Sequence, residues 1–340
     1  MPVPRDTGAP QAPLRSGGER GPRGLPTVFM FSGQGSQYHH MGRELFEADA
    51  VFRAALLRYD AVVVDESGSS VLDRVFDPAR RKTDPFTDTR FTHPAIVMFQ
   101  LALAEAVRAA GIPVRSVLGS SLGEYAAAAV AGAIEPADCL RLLVRQAALV
   151  HARVPGGMLA VLADMTVFDD APALHGTDVA ARNYPGHLVV AGRTDVLDRA
   201  AAQLRAAGVL HQPVPVEHGF HSYLMDDVRE TFHDCFEGVT LTAPVIPWYS
   251  CVDGRPVTRP TAGHFWRVAR RPIEFESTMR AMQERGDFLY LDLGPSGTLQ
   301  GFARNNLAEG TRSRALGLLS PFGGGRDALA KARAALGGPG

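Results

Sequence analysis

Short apolar runs alternate with helical patterns through most of this chain, which is typical of an α/β fold. The apolar run at residues 27–31 predicts the first strand, and the run at 114–118 predicts the second. Amphipathic patterns predict helices at residues 43–59, 92–111 and 135–148. Residues 61–93 are charged and irregular, so they predict no regular element.

The middle of the chain has a different pattern, because four short strand patterns follow one another with one clear helix among them. The strand patterns cover residues 158–162, 179–183, 187–192 and 208–214, and the helical pattern covers 194–207. A β-rich segment of this size predicts a small ferredoxin-like α+β subdomain inserted into a larger one.

The α/β pattern then returns, with strands predicted at 247–250 and 288–293 and helices near Phe265 and at 275–285. The predicted fold class is therefore α/β, with a large α/β-hydrolase-like subdomain built on a parallel sheet and the small inserted subdomain. The predicted boundaries are a disordered extension at 1–25, the large subdomain at 26–151 and 218–320, the small subdomain at 152–217 and a tail at 321–340.

Composition and charge narrow the classes of function. The net charge is −1 in 340 residues, so no basic surface is expected to attract nucleic acid or an anionic membrane. Cys139, Cys235 and Cys251 lack the spacing of a disulfide framework or a metal site, which fits a reducing cytoplasm. No apolar run is long enough to span a membrane, and residues 1–25 lack the apolar core of a signal peptide.

The strongest chemical signal lies at residues 119–123, between the second predicted strand and an alanine-rich helical stretch. Gly-x-Ser-x-Gly in that context is typical of a nucleophile elbow, a sharp turn that exposes one serine hydroxyl. The N-terminal end of the following helix favours negative charge, as an oxyanion requires. Ser121 is therefore the candidate nucleophile. In a chain with 35 glycines, a chance match in a loop is the alternative.

A nucleophilic serine needs a general base, and the chain has 11 histidines. His221 follows the inserted segment and precedes a helical stretch, a position from which it could reach the elbow. His218 lies three residues earlier, and its position makes it nearly as good a candidate for the general base. Any single histidine can instead be a surface residue or a hydrogen-bonded core residue, so the pattern alone does not choose between the two.

Four segments together carry a family resemblance: Phe-Ser-Gly-Gln-Gly-Ser-Gln at 31–37, Gly-Ser-Ser-Leu-Gly-Glu at 119–124, Gly-Phe-His-Ser at 219–222 and Leu-Gly-Pro-Ser-Gly at 293–297. In this order they resemble the malonyl-CoA:acyl-carrier-protein transacylase family, which includes the acyltransferase units of polyketide synthases. The resemblance covers roughly residues 27–310. The wider match resembles the free-standing acyltransferase-like proteins of polyketide clusters.

The resemblance implies a role for each matching residue. Ser121 would accept the acyl group, His221 would act as the general base, and a backbone carbonyl near Val268 would orient the histidine. The backbone N–H groups of Gln34 and Leu122 would form the oxyanion hole. The resemblance further implies a monomer without a metal or redox cofactor, whose partner is an acyl carrier protein bearing phosphopantetheine, with acyl-CoA as a further donor.

The match departs from the family at positions that would contact the acyl group. Members that load extender units have an arginine that binds the malonyl carboxylate, and Gln146 stands at that position. Arg145 lies one residue earlier, about 100° around the helix, unless a local one-residue adjustment turns it inward. Ser120 replaces a common histidine, Phe220 matches members that take small α-substituents, and Asn183 matches a weaker substrate-binding position. Because glutamine cannot neutralise a carboxylate, we expect an acyl group that has none.

Several functions stay open at this stage. The first is acyl transfer between thioesters in polyketide biosynthesis, with malonyl-CoA:acyl-carrier-protein transacylase activity as a variant. The second is hydrolysis of stalled acyl chains from a carrier protein, and the third is non-catalytic docking. An unrelated esterase would leave residues 31–37 without a role. The candidate contacts for an acidic carrier protein, which are equally well ordinary surface residues, are Arg267, Arg270, Arg271 and Arg304.

Overall fold

The computed structural model describes residues 24–336, so the predicted extension at 1–25 lies almost entirely outside the described residues, as does the end of the predicted tail. The strands are β1 (Thr27–Phe31), β2 (Ser116–Gly119), β3 (Gly157–Val161), β4 (Asp178–Tyr184), β5 (His187–Gly192), β6 (His211–Pro213), β7 (Trp248–Ser250), β8 (Ile273–Glu274), β9 (Leu289–Asp292) and β10 (Arg314–Gly317).

Helices surround these strands. They are α1 (Arg43–Ala48), α2 (Ala50–Ser67), α3 (Val71–Val75), α4 (Thr89–Ala109), α5 (Gly123–Val130), α6 (Pro136–Arg153), α7 (Val167–Asp170), α8 (Thr194–Ala206), α9 (Arg229–Asp234), α10 (Ala262–Arg270), α11 (Phe275–Gln283), α12 (Thr298–Asn306) and α13 (Ala328–Ala335). Short 3₁₀ segments cover Pro172–Gly176, Tyr223–Val228 and Gly325–Asp327.

The larger sheet is parallel throughout and has the strand order β10-β9-β1-β2-β7. Alternate side chains of a strand point to opposite faces. In β1, Phe29 and Phe31 enter one apolar core, whereas Val28 and Met30 enter the core on the other face. Both faces of the sheet are therefore buried, as parallel sheets require.

The carboxyl ends of β1, β2 and β9 meet at one edge of this sheet. Each of these strands runs into one of the glycine-containing segments noted above: residues 32–37, the turn at 120–123 and residues 293–297. Ligand sites in open parallel sheets form at this edge, because the connecting loops converge there. The topology thus brings together three segments that are distant in sequence.

The smaller sheet has the order β6-β3-β5-β4-β8. Its first four strands pair antiparallel and follow the element order β-α-β-β-α-β, which is the order of a ferredoxin-like unit. β8 then pairs parallel to β4, although it comes from the segment assigned to the large subdomain. The N–H of Glu274 in β8 donates to Cys251 O, directly after β7 of the larger sheet, so this segment contacts both sheets.

The structure corrects several predictions between residues 43 and 93. The predicted helix at 43–59 is two helices, because the Asp49 side chain accepts a hydrogen bond from Phe52 N and starts α2. The segment predicted to be irregular contains the end of α2, all of α3 and the start of α4. Its apolar residues Val63, Val71 and Val75 are buried in the core despite their charged neighbours. The sequence pattern also predicted no strand at Arg314–Gly317, which forms β10.

Candidate active site

The turn after β2 has the geometry of a nucleophile elbow. Ser121 has a φ of 54°, a left-handed conformation that is unusual for a residue with a side chain. An added Cβ on Gly123 would lie 1.9 Å from the Phe31 carbonyl oxygen, and one on Gly119 would lie 2.5 Å from Glu124 Cα. The turn can form only because these two positions lack side chains, which excludes the interpretation of a chance loop match.

Glu124 anchors the elbow, a role that the sequence analysis did not assign. Its buried carboxyl group accepts hydrogen bonds from Trp248 Nε1 at 2.7 Å, Ser250 Oγ at 2.6 Å and Cys251 N at 2.9 Å. Burial raises the pKa of Glu124 to about 8, although the three hydrogen bonds oppose the shift. The first turn of α5 is thereby tied to β7. The only sequence signal was an acidic residue directly after the Gly-x-Ser-x-Gly segment.

His221 is in hydrogen-bond contact with Ser121. The Ser121 hydroxyl donates to His221 Nε2 over 2.7 Å, and His221 Nδ1 donates to the Arg271 carbonyl over 2.8 Å. The carbonyl can only accept, so it holds the ring in the tautomer whose Nε2 is free to take a proton. His221 has a φ of 59°, and its N–H donates to Ala269 O at 2.9 Å.

The carbonyl that orients the histidine comes from the predicted segment before Pro272, but from Arg271 and not from Val268. Val268 lies inside α10, where carbonyl groups run along the helix axis, and its side chain lines the cavity described below. Arg271 is the first residue beyond the helix and has an extended backbone with ψ of 157°. That change of direction turns the Arg271 carbonyl toward the imidazole.

His218, the alternative base, is held away from this role. Its Nδ1 donates to Val154 O at 2.6 Å, and its Nε2 accepts from Thr89 Oγ1 at 3.2 Å. Both ring nitrogens of His218 are therefore occupied by hydrogen bonds, one to the end of α6 and one to the start of α4. Only His221 is placed to receive the Ser121 proton.

Burial sets the protonation state of the predicted base. Desolvation lowers the pKa of His221 to about 4, while its hydrogen bond to Arg271 partly opposes the shift. Acylation of Ser121 should therefore be independent of pH above about pH 6 and should fall as pH drops through about 4, since protonated imidazole cannot accept a proton. Rapid-quench mass spectrometry across this range checks the expectation, and a midpoint near the ordinary histidine pKa would contradict it.

That experiment needs a control for folding. A buried neutral histidine has a lower pKa in the folded than in the unfolded chain, so the unfolded chain binds more protons between about pH 6.5 and 4. The free energy of unfolding is thus greatest above this window and decreases as pH falls through it. Circular dichroism at each pH separates loss of the base from loss of the fold.

The two backbone N–H groups predicted for the oxyanion hole lie on loops that pack against each other. An added Cβ on Gly33 would lie 2.9 Å from Ser121 Cβ and 3.3 Å from Leu122 N, so the loop after β1 packs directly on the elbow. The Gln34 side chain is fixed by a 3.0 Å hydrogen bond to Thr92 Oγ1. Within residues 24–336, neither Gln34 N nor Leu122 N donates a hydrogen bond. Both donors are therefore free for a ligand.

A cavity of about 380 Å³ adjoins the Ser121–His221 pair. Most of its lining is apolar, with Leu143 and Val150 from α6 and Met158 and Val189 from the small sheet. No arginine, lysine, aspartate or glutamate is among the lining residues in the described part of the chain. The predicted site residues that line it are Gln34, Ser120, Leu122, Gln146, Asn183, Phe220 and Val268.

Gln146 and Arg145 point in different directions, as their spacing predicts. Gln146 is 3% exposed and lines the cavity, where its Oε1 accepts a 2.6 Å hydrogen bond from the Tyr125 hydroxyl. Arg145 lies outside and forms an ion pair with Glu66 at 2.7 Å. The one-residue helix adjustment that would bring Arg145 to the acyl site is therefore absent.

The other predicted contacts are Asn183, which lines the cavity, and the four arginines considered for a carrier protein. Asn183 is buried, and its Nδ2 donates to His187 Nδ1 at 3.1 Å. Of the four rim arginines considered for a carrier protein, Arg270 is already paired with Asp226 at 2.7 Å and with Asp178 at 3.5 Å. That pairing reduces its suitability for a partner's carboxylates.

Residues 24–336 contain no group of three or more histidine, cysteine, aspartate or glutamate side chains placed to hold a metal ion. No helix in this range is both long and apolar enough to cross a membrane. Cys139 and Cys251 are buried and Cys235 is half-buried, all with free thiols.

A parallel sheet, a turn with the geometry of a nucleophile elbow and a histidine held by a backbone carbonyl define an α/β protein with a hydrogen-bonded serine and histidine at the edge of the sheet. Comparison with known proteins narrows this class. The chain belongs to the acyl transferase domain family, whose model matches residues 28–336.

Two relatives match most of the chain. It is 40% identical to the polyketide biosynthesis acyltransferase homolog BaeD of Bacillus velezensis, over 87% of this chain and 92% of that protein. It is 36% identical to the polyketide biosynthesis acyltransferase homolog PksD of Bacillus subtilis, with the same coverage. Among solved structures, a loading acyltransferase from the avermectin modular polyketide synthase has a TM-score of 0.83 at 28% identity, covering 92% of this chain and all of that one.

Proposed function

We propose that this protein transfers an uncarboxylated acyl group between thioesters of polyketide biosynthesis, through an ester on Ser121. The observation that carries the proposal is the uncharged lining of the cavity beside Ser121 and His221. The family and the names of the two Bacillus relatives support acyl transfer in that setting. A carrier protein with a phosphopantetheine thiol, or acyl-CoA, would supply and receive the acyl group.

In the proposed reaction, Ser121 Oγ attacks the thioester carbonyl carbon while its proton moves to His221 Nε2. The Gln34 and Leu122 N–H groups donate to the developing oxyanion, and such a donor contributes about 10²–10³ in rate. The C–S bond then breaks, and the departing thiolate takes the proton from His221. In the second half-reaction a new thiol gives its proton to His221 and attacks the ester carbonyl; the acyl C–Oγ bond then breaks, and Ser121 Oγ takes the proton back from His221.

The proposed preference for uncharged acyl groups rests on electrostatics. A malonyl carboxylate placed in this cavity would lose its hydration without gaining a cationic partner. Gln146 offers only a neutral amide at the position where an arginine would pair with two carboxylate oxygens. Arg145 already has a carboxylate partner in Glu66, on the outside of the helix.

Acyl-group selectivity provides the test. We expect intact-protein mass spectrometry to show acylation of Ser121 by butyryl-CoA at least about tenfold faster than by malonyl-CoA, because only the second buries a charge. Gln146→Arg should raise the malonyl rate by about tenfold or more. Arg145→Gln is the matched control, and its selectivity should equal that of the wild type. Faster malonyl loading by the wild-type protein would contradict the proposal.

The fate of the acyl group separates transfer from hydrolysis. With a holo carrier protein added to acylated enzyme, we expect the acyl mass to move to the carrier. Release of free acid instead would assign the protein to carrier-thioester hydrolysis, since water and a thiol attack the same ester. Acylation confined to malonyl groups would assign it to malonyl transfer.

A further inference from the structure

Two side chains that line the cavity, Gln146 and His93, carry nitrogen atoms that form no hydrogen bond with any of the described residues. Gln146 is 3% exposed and His93 is 7% exposed, so both have given up nearly all contact with bulk water. Burying a polar group without a hydrogen bond is unfavourable, and native structures seldom contain one without a reason. Their common location beside Ser121 suggests that a ligand supplies the missing partners.

The free group of Gln146 is its amide nitrogen. The Tyr125 hydroxyl occupies Oε1, whereas Nε2 has no hydrogen-bond partner. Five buried side-chain atoms among the described residues lack a partner, and only this one belongs to a residue that lines the cavity. Gln146 therefore has N–H donors for an oxygen atom of a bound group.

His93 was not assigned any role by the sequence. It lies in α4, lines the same cavity, and its ring is 5.3 Å from that of Phe220, the residue before His221. Neither ring nitrogen is hydrogen-bonded to another residue in the part of the chain that the structure describes. Burial, aided by nearby His218, lowers the pKa of His93 to about 3, so the ring is neutral and offers one donor and one acceptor.

The two side chains belong to one wall of the cavity. α4 packs directly against α6, which carries Gln146 and, one turn later, the cavity residue Val150. His218 is bonded to Val154 at the end of α6, and its ring is 6.0 Å from that of Phe220. The α4–α6 wall is thus continuous from Gln146 to the Phe220–His93 contact.

We infer that His93 and Gln146 form a neutral hydrogen-bonding site for the acyl chain, and that it takes an acyl group carrying an uncharged oxygen such as a hydroxyl or keto group. A hydroxyl could accept from Gln146 Nε2 and donate to the imidazole, which would satisfy both residues. This inference rests on the proposed function, because it specifies further the uncharged acyl group that Ser121 would carry.

The inferred hydrogen-bonding site is tested with three thioesters of N-acetylcysteamine, namely the butyryl, 3-hydroxybutyryl and malonyl thioesters. With wild-type protein, we expect acylation by the 3-hydroxybutyryl thioester to be at least about tenfold faster than by the butyryl thioester, since only the former pairs the buried groups. Equal rates for these two, both faster than malonyl, would overturn the inference and leave the proposed function intact. Malonyl as the fastest would overturn the proposed function itself.

Variants of His93 and Gln146 test whether these two residues cause the preference for the 3-hydroxybutyryl thioester. His93→Phe and Gln146→Leu should each lower the ratio of 3-hydroxybutyryl to butyryl acylation severalfold toward one, because each removes a partner of the oxygen. His175→Phe, at an exposed histidine of the small subdomain, is the matched control and should keep the ratio. A variant of His93 that melts like the wild type and keeps the full ratio would overturn its assignment. If a variant does not fold, the wild-type ratio decides the inference.

Discussion

Ser121→Ala should abolish the acyl–enzyme adduct, with a loss of turnover of about 10⁴-fold or more. The Ser121 hydroxyl is 2.7 Å from His221 Nε2 at the tip of a strained turn, so no neighbouring group can replace it without a shift in the backbone. Alanine has a similar size and lacks only the oxygen. Incubation with butyryl-CoA followed by intact-mass measurement checks the result.

The control for this variant should alter a serine elsewhere. Ser277 is exposed on α11, where its hydroxyl donates to Glu274 O, and Ser277→Ala should retain the full adduct. Peptide mapping of the wild-type adduct should place the added mass on the peptide with Ser121. An adduct that persists in Ser121→Ala would show that another residue, such as cavity-lining Ser120, accepts the acyl group.

Gly123→Ala should destabilise the fold by about 3 kcal/mol or more and remove acylation with it. The added methyl group would lie 1.9 Å from the Phe31 carbonyl oxygen and 2.4 Å from its carbon. These are backbone atoms of the central strand, so no side-chain rotation can relieve the overlap. Either α5 moves away from β1, which misplaces Ser121, or the sheet opens.

Urea denaturation of Gly123→Ala and wild-type protein measures this difference. Gly301→Ala in α12 is a matched control, because an added Cβ at Gly301 meets no atom within 4 Å. That substitution should be neutral or should stabilise the protein by up to about 1 kcal/mol, since alanine favours a helix more than glycine does. A Gly123→Ala protein with wild-type stability and normal acylation would refute the tight packing of the elbow.

The results for Ser121→Ala and Gly123→Ala would separate two contributions of the elbow, one chemical and one structural. In the proposed reaction Ser121 supplies the reacting oxygen, whereas Gly123 allows the backbone approach that holds this oxygen in position. Glu124 adds a third contribution, since its hydrogen bonds tie the elbow helix to β7. The chemistry of the site thus depends on packing between β1, β2 and β7.

The sequence predicted most regular elements of the small subdomain closely because its short strands are separated by clear turns. It failed at residues 61–93, where buried Val71 and Val75 are surrounded by charged neighbours and the helical pattern is short. It also missed β10, which has only four residues and lies at the edge of the parallel sheet. Burial, rather than local pattern, determines these elements.

By itself, the sequence determined the fold class, the elbow with Ser121 and the different directions of Arg145 and Gln146, because these follow from local spacing along strands and helices. Only the tertiary structure decided between His221 and His218, replaced Val268 by Arg271 as the orienting carbonyl, and revealed the hydrogen bonds of Glu124 and the position of His93 on the cavity wall. Each of these depends on partners that are remote in the chain, as with the 100 residues between Ser121 and His221. Hydrogen bonds and burial of that kind exist only once the two sheets and the α4–α6 wall have packed together.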